Sequence, residues 1–204
     1  MDRRTFLALA GGAHVVDGFR ATRAVRDAGA PALVMSYWNL ILRRGVDRYA
    51  AELAAAGGAG LITPDLIPEE AEEWIAASER EGLDRVFLVA PSSTPERLSR
   101  VTDSCRGFVY AASTMGVTGE RSSVGSSARD LVERTRAVTD LPVCVGLGVS
   151  NGDQAAELAG YADGVIVGTA FVRVLSGEGE LGARLDTLRE LTADLARGVR
   201  EGAR

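Results

Sequence analysis

At 204 residues the chain is long enough for one domain with a substantial core and too short for two of ordinary size. A net charge of −5 and a pI near 5.1 leave no basic footprint for nucleic acid, and no apolar stretch approaches the roughly 18 residues of a membrane-spanning helix, so neither nucleic acid nor membrane is an expected partner. Cys105 and Cys144 lack metal-ligand spacing and a disulfide framework, and the chain has one histidine. No metal site or Cys/His catalytic pair is therefore expected, and both thiols read as buried and reduced in a cytoplasmic protein.

The first stretch, MDRRTFLALAGGA, resembles a twin-arginine export signal, with Arg3 and Arg4 ahead of an apolar run. Gly11, Gly12 and His14 interrupt that run, however, and Asp17, Arg20, Arg23, Arg26 and Asp27 follow. Val16, Phe19, Val25 and Ala28 recur near the 3.6-residue period, with Gly29 as a stop, so 5–28 is better read as a helical arm. Six apolar runs then read as strands: PALVMSYW (31–38), AGLITPD (59–65), RVFLVAP (85–91), GFVYAAS (107–113), PVCVGLG (142–148) and DGVIVGT (163–169). Each is apolar on both faces, as parallel strands covered by helices are. Helical patterns alternate with them at 45–57, 68–82, 94–105, 128–139 and 152–161. Leu185, Leu188, Leu191, Leu195 and Val199 mark a closing amphipathic helix.

This run of strand-then-helix units points to an α/β fold, either an open doubly wound sheet or a closed (β/α)8 barrel, and no dinucleotide fingerprint favours the open sheet. The reading is an incomplete (β/α)8 TIM barrel with about six of eight strands present, residues 1–204 forming a single partial-barrel domain. In such barrels ligands sit at the carboxyl ends of the strands, and phosphate is often held by the last loops. Three loops fit that plan. STMGVTGERSSVGSS (113–127) is rich in Gly and Ser; GLGVSNGDQ (146–154) carries Gly146 and Gly148 and a Ser150/Asp153 capping pattern; VGTAFV (167–172) places Gly168 and the Thr169 hydroxyl at a helix start. Their backbone N–H groups are candidates for a shared anion site, the plainer alternative being tight turns. The acidic run Glu69, Glu70, Glu72 and Glu73 reads as a solvated first turn, and Trp38 and Trp74 as packing residues.

The stretches MSYWN (35–39), GLITPDLIPEEA (60–71), FLVAPSSTPERL (87–98), FVYAASTMGVTG (108–119) and PVCVGLGVSNGDQ (142–154) together resemble the alpha subunit of tryptophan synthase of actinobacterial type, over about 2–175. The resemblance implies a barrel lyase of amino-acid biosynthesis. Such an enzyme cleaves indole-3-glycerol phosphate to indole and glyceraldehyde 3-phosphate, needs no cofactor of its own, and passes indole to a pyridoxal-phosphate beta subunit in a heterotetramer. It further implies phosphate binding by Gly119, Gly148, Gly168 and Thr169, the last standing where many members have serine. It assigns Tyr37, Ile62, Leu88 and Leu147 to the indole pocket, Tyr110 to an assisting place on the catalytic face, and Thr118 to the loop that closes over substrate.

The family's acid/base glutamate and the aspartate that polarises the indole nitrogen have no matching positions, because the matching segment begins after them. The expectation is a chain lacking roughly 50 to 65 front residues and impaired in cleavage. Asp65 is the one candidate to substitute for them. The alternative is a non-catalytic partner that acts by binding the beta subunit; a different phosphate-binding barrel enzyme fits the matching motifs poorly.

Overall fold

A computed structural model describes residues 14–112, 121–146 and 148–203. The chain runs α1 (Val15–Asp27), β1 (Leu33–Met35), α2 (Trp38–Arg44), α3 (Val46–Ala55), β2 (Gly60–Ile62), a 3-10 turn (Pro68–Glu70) and α4 (Glu72–Glu81). It continues with β3 (Asp84–Val86), β4 (Leu88–Val89), α5 (Pro95–Ser104), β5 (Val109–Ala112), α6 (Arg121–Arg136) and β6 (Val143–Gly146). The last elements are α7 (Gly152–Ala159), β7 (Gly164–Ile166), α8 (Thr169–Leu175) and α9 (Leu181–Gly202).

All strand pairs are parallel and follow chain order, β1-β2-β3 in one ladder and β4-β5-β6-β7 in the next. The 85–91 run, expected as one strand, is divided at Phe87, so six strand paths appear as seven segments. The ladder nevertheless continues across the break. Thr63 N–H donates to the Val86 carbonyl (3.2 Å) on one side, and Arg106 N–H to Arg85 (2.8 Å) and Tyr110 N–H to Phe87 (3.2 Å) on the other. The result is an arc of a (β/α)8 barrel, each strand path joined to the next by a helical crossover, with β3 and β4 forming one path broken at Phe87.

The period-2 alternation of the strands sets which residues face the helices. Leu61, Val89, Val109, Ala111, Val143 and Val145 are at most 1% exposed. They share one core with Leu53, Trp74, Leu98, Val101, Leu131 and Leu158 from the helices. Each such leucine stabilises the fold by about 2 kcal/mol. The intervening residues Ile62, Leu88, Tyr110, Ala112, Cys144 and Gly146 face the inside of the arc and are half-buried. Cys144 is thus not the fully buried thiol expected, whereas Cys105 is. Among the described residues β1 and β7 are not paired to one another, so the inward face stays partly open.

Several boundaries differ from the sequence reading for local reasons. The first strand stops at Met35, because Tyr37 becomes the N-cap of α2, a helix whose residues 39–44 the sequence reading assigned to no element. The 68–82 helix begins as the 3-10 turn and resumes at Glu72. Glu69, in that turn, is bonded to Arg97 and Arg100 of α5, so it is not merely solvated. Helix α6 starts at Arg121, within the stretch read as a Gly/Ser loop. The α7 cap is Asn151, not Ser150: the Asn151 side chain accepts from Gln154 N–H at 2.9 Å. The opening 1–13, including the twin-arginine pattern, lies outside the described residues.

Candidate active site at the carboxyl ends of the strands

Strand register brings the inward-facing candidates together. Leu88 stands opposite Tyr110, and Tyr110 opposite Cys144; one strand further, Ile62 ends β2 opposite Val86. Leu88 and Tyr110 therefore lie side by side on the inside of the arc, and Ile62 ends the inward face of β2, level with Val86, two positions before Leu88. The Tyr110 ring lies over Gly146, where any Cβ would collide with its hydroxyl and ring. Glycine at 146 is what gives the tyrosine its place, a role the motif reading did not reach. Burial raises the Tyr110 hydroxyl above the ordinary phenol range, so it stays protonated and can donate a hydrogen bond into the interior. Burial, aided by the negative charge of Asp163, pushes the neighbouring Cys144 thiol up to about 11, which makes it an apolar wall residue rather than a nucleophile.

Tyr37 sits at the end of β1 and is 47% exposed. Its place is set from the next strand. Asp65, just past β2, accepts from Trp38 N–H through both carboxylate oxygens, at 2.9 and 3.1 Å. Helix α2 has no side-chain cap from its own N-cap residue, so Asp65 supplies the negative charge at its start. The carboxylate weighed as a substitute proton carrier is thus occupied in fastening one strand-end loop to another.

The other end of the arc carries the glycine turns. Gly148 follows β6 with φ +66°, a left-handed conformation that favours glycine. Three N–H groups at and just before the start of α7 are taken up by the protein: Gly152 N–H donates to Asp194 (2.6 Å), Gln154 N–H to Asn151 (2.9 Å), and Ser150 N–H to the Gln154 side chain (2.9 Å). Gly168 is the N-cap of α8, and Thr169 is its exposed first residue. Gly148, Gly168 and Thr169 thus lie past the carboxyl ends of adjacent strands, β6 and β7. Thr118, Gly119 and Leu147 lie outside the described residues, as does most of the 113–127 loop. Among the described residues no group of three or more His, Cys, Asp or Glu could hold a metal, and no helix is long and apolar enough to cross a membrane.

The comparisons agree with this layout. A family model described as tryptophan synthase alpha chain matches residues 1–199. The alpha chain of Thermobifida fusca is 62% identical over 200 residues, covering 97% of this chain and 74% of the relative. That of Mycobacterium tuberculosis is 60% identical over 200 residues, covering 98% of this chain and 72% of the relative. Among solved structures, ligand-free M. tuberculosis tryptophan synthase superposes with a TM-score of 0.85 at 53% identity, over 98% of this chain and 76% of that one. The alpha subunit from Pyrococcus furiosus gives 0.81 at 32% identity, over 94% and 77%. The chain belongs to the tryptophan synthase alpha chain family, the lyases that cleave indole-3-glycerol phosphate to indole and glyceraldehyde 3-phosphate in tryptophan biosynthesis.

Proposed function

We propose that this chain binds indole-3-glycerol phosphate across the open end of its barrel arc and works in the cytoplasm with a tryptophan synthase beta subunit. Tyr37, Ile62, Leu88 and Leu147 surround the indole ring. Tyr110, helped by Thr118, faces the reacting carbons, while Gly119, Gly148, Gly168 and Thr169 hold the phosphate. The observation that carries this reading is the half-exposed inner wall of Leu88 beside Tyr110, with Ile62 at the end of β2, Gly146 clearing space beneath the tyrosine and Gly148 continuing from the same strand. An apolar wall at one end and glycine turns at the other match a ligand with an aromatic ring and a dianion.

Cleavage also requires proton transfer at the indole ring and at the glycerol hydroxyl, by groups within hydrogen-bond reach. The two carboxylates that the family resemblance calls for have no counterpart in these 204 residues, and Asp65 is bonded to Trp38. The 204-residue chain therefore binds substrate and turns it over poorly.

Calorimetric titration of the chain with indole-3-glycerol phosphate tests the binding half. Leu88→Asp is expected to weaken binding through the indole end and Gly148→Val through the phosphate end. Inorganic phosphate should compete with substrate in the unsubstituted chain. A Gly148→Val variant that binds inorganic phosphate as tightly as the unsubstituted chain would overturn the phosphate assignment.

A further inference from the structure

The closing helix α9 reaches the turn that carries Gly148. The Asp194 carboxylate accepts from Gly152 N–H at 2.6 Å and is paired on its other oxygen with Arg197, one turn along the same helix. The two helices touch backbone to backbone: a Cβ at Gly198 would strike the Gly152 backbone, and one at Gly202 the backbone of Ala156. A Cβ at Gly152 would in turn press on the Asp194 carbonyl at 2.7 Å. Gly152 is therefore held by a charge-assisted hydrogen bond from one side and by close packing along its helix. Three residues separate it from Gly148, and the buried Val149 anchors the interval at 3% exposure. Ser150 N–H and Gln154 N–H are taken up within the same turn.

We infer that Asp194 is a positioning residue for phosphate binding, acting through Gly152 to hold the Gly148 turn in its left-handed conformation; the inference rests on the assignment of Gly148 to the phosphate. The carboxylate has no path to the reacting carbons and takes no part in the chemistry. It takes up the Gly152 N–H, and it fixes where the preceding turn presents its backbone. A phosphate oxygen then meets N–H groups already in place, which lowers the ordering cost of binding.

The test titrates the full chain in complex with the beta subunit, using inorganic phosphate and, separately, indole. Asp194→Ala is expected to weaken phosphate binding about five-fold, the worth of one hydrogen bond, with indole affinity unchanged. Asp194→Asn keeps an acceptor for Gly152 N–H and should restore most of the loss. Equal weakening of both ligands, or no rescue by Asn, would mean a merely structural role and overturn the inference. If Asp194→Ala does not fold, Arg197→Ala carries the test: it loosens the carboxylate without removing it, and unchanged phosphate affinity there overturns the inference. Gly148→Val separates the two readings. If it leaves phosphate binding intact, the phosphate assignment itself fails; if it abolishes binding while Asp194→Ala does not alter it, only the role of Asp194 fails.

Discussion

Asp65 shows how a single side chain can order two loops. Its bonds to Trp38 N–H cross 27 positions of sequence and fasten the start of α2 beside the end of β2, where Tyr37 and Ile62 stand. Asp65→Ala should cost about 1 kcal/mol, the usual loss for a helix cap, and Asp65→Asn should recover most of it; urea midpoints of the three proteins measure this. At Gly146 the constraint is space. Gly146→Ala drives a methyl into the Tyr110 ring and should destabilise by about 1–3 kcal/mol, with a shift in the tyrosine ultraviolet band. The two thiols give a third test. Both are raised to about 11, chiefly by burial, so at pH 8 only about one in a thousand is thiolate, and iodoacetamide should alkylate the folded chain far more slowly than a free cysteine. Residue types at strand ends were legible in the sequence, as Tyr110, Gly146 and Gly148 attest. Pairings such as Asp65 with Trp38, or Asp194 with Gly152, were not, because a hydrogen bond between distant segments leaves no periodic mark.

At the scale of elements, connections between neighbouring units carry much of the specificity. Glu69, in the 3-10 turn, bridges to Arg97 and Arg100 of α5, and those hydrogen bonds, the Arg97 bond foremost, pull its carboxyl down to about 2. A carboxyl lowered on folding contributes stability that is complete above its unfolded value, near pH 4.5, and is lost as pH falls toward 2. Urea midpoints of the unsubstituted chain and Glu69→Gln should therefore differ at pH 7 and converge as the pH drops to 2.5. The α7–α9 contact is a packing counterpart. Gly198→Leu cannot fit against the Gly152 backbone and should unfold or separate the closing helix, seen as lost helical circular dichroism and a lower midpoint. The 3.6-residue pattern revealed most helices, but it missed α2, too short at 38–44 to show a period, and the early start of α6, whose Ser and Gly residues read as loop.

At the scale of the molecule, each β/α unit is local in sequence, so strand order and parallel pairing could be read from the sequence. The division at Phe87 could not, since it depends on how β3 and β4 turn toward different neighbours. The arc also explains why the candidate site is half-exposed: helices seal one face, while the inner face has only the residues of neighbouring strands for cover. Binding and turnover separate under the proposed function, because apolar wall and glycine turns are present while the two carboxylates that the family resemblance implies have no matching positions among the 204 residues. Indole release from indole-3-glycerol phosphate by the purified chain, with and without a beta subunit, tests that separation most directly. The account predicts release no faster than background, although the chain binds substrate. Steady indole release, abolished by Asp65→Asn, would contradict it and make Asp65 a proton carrier.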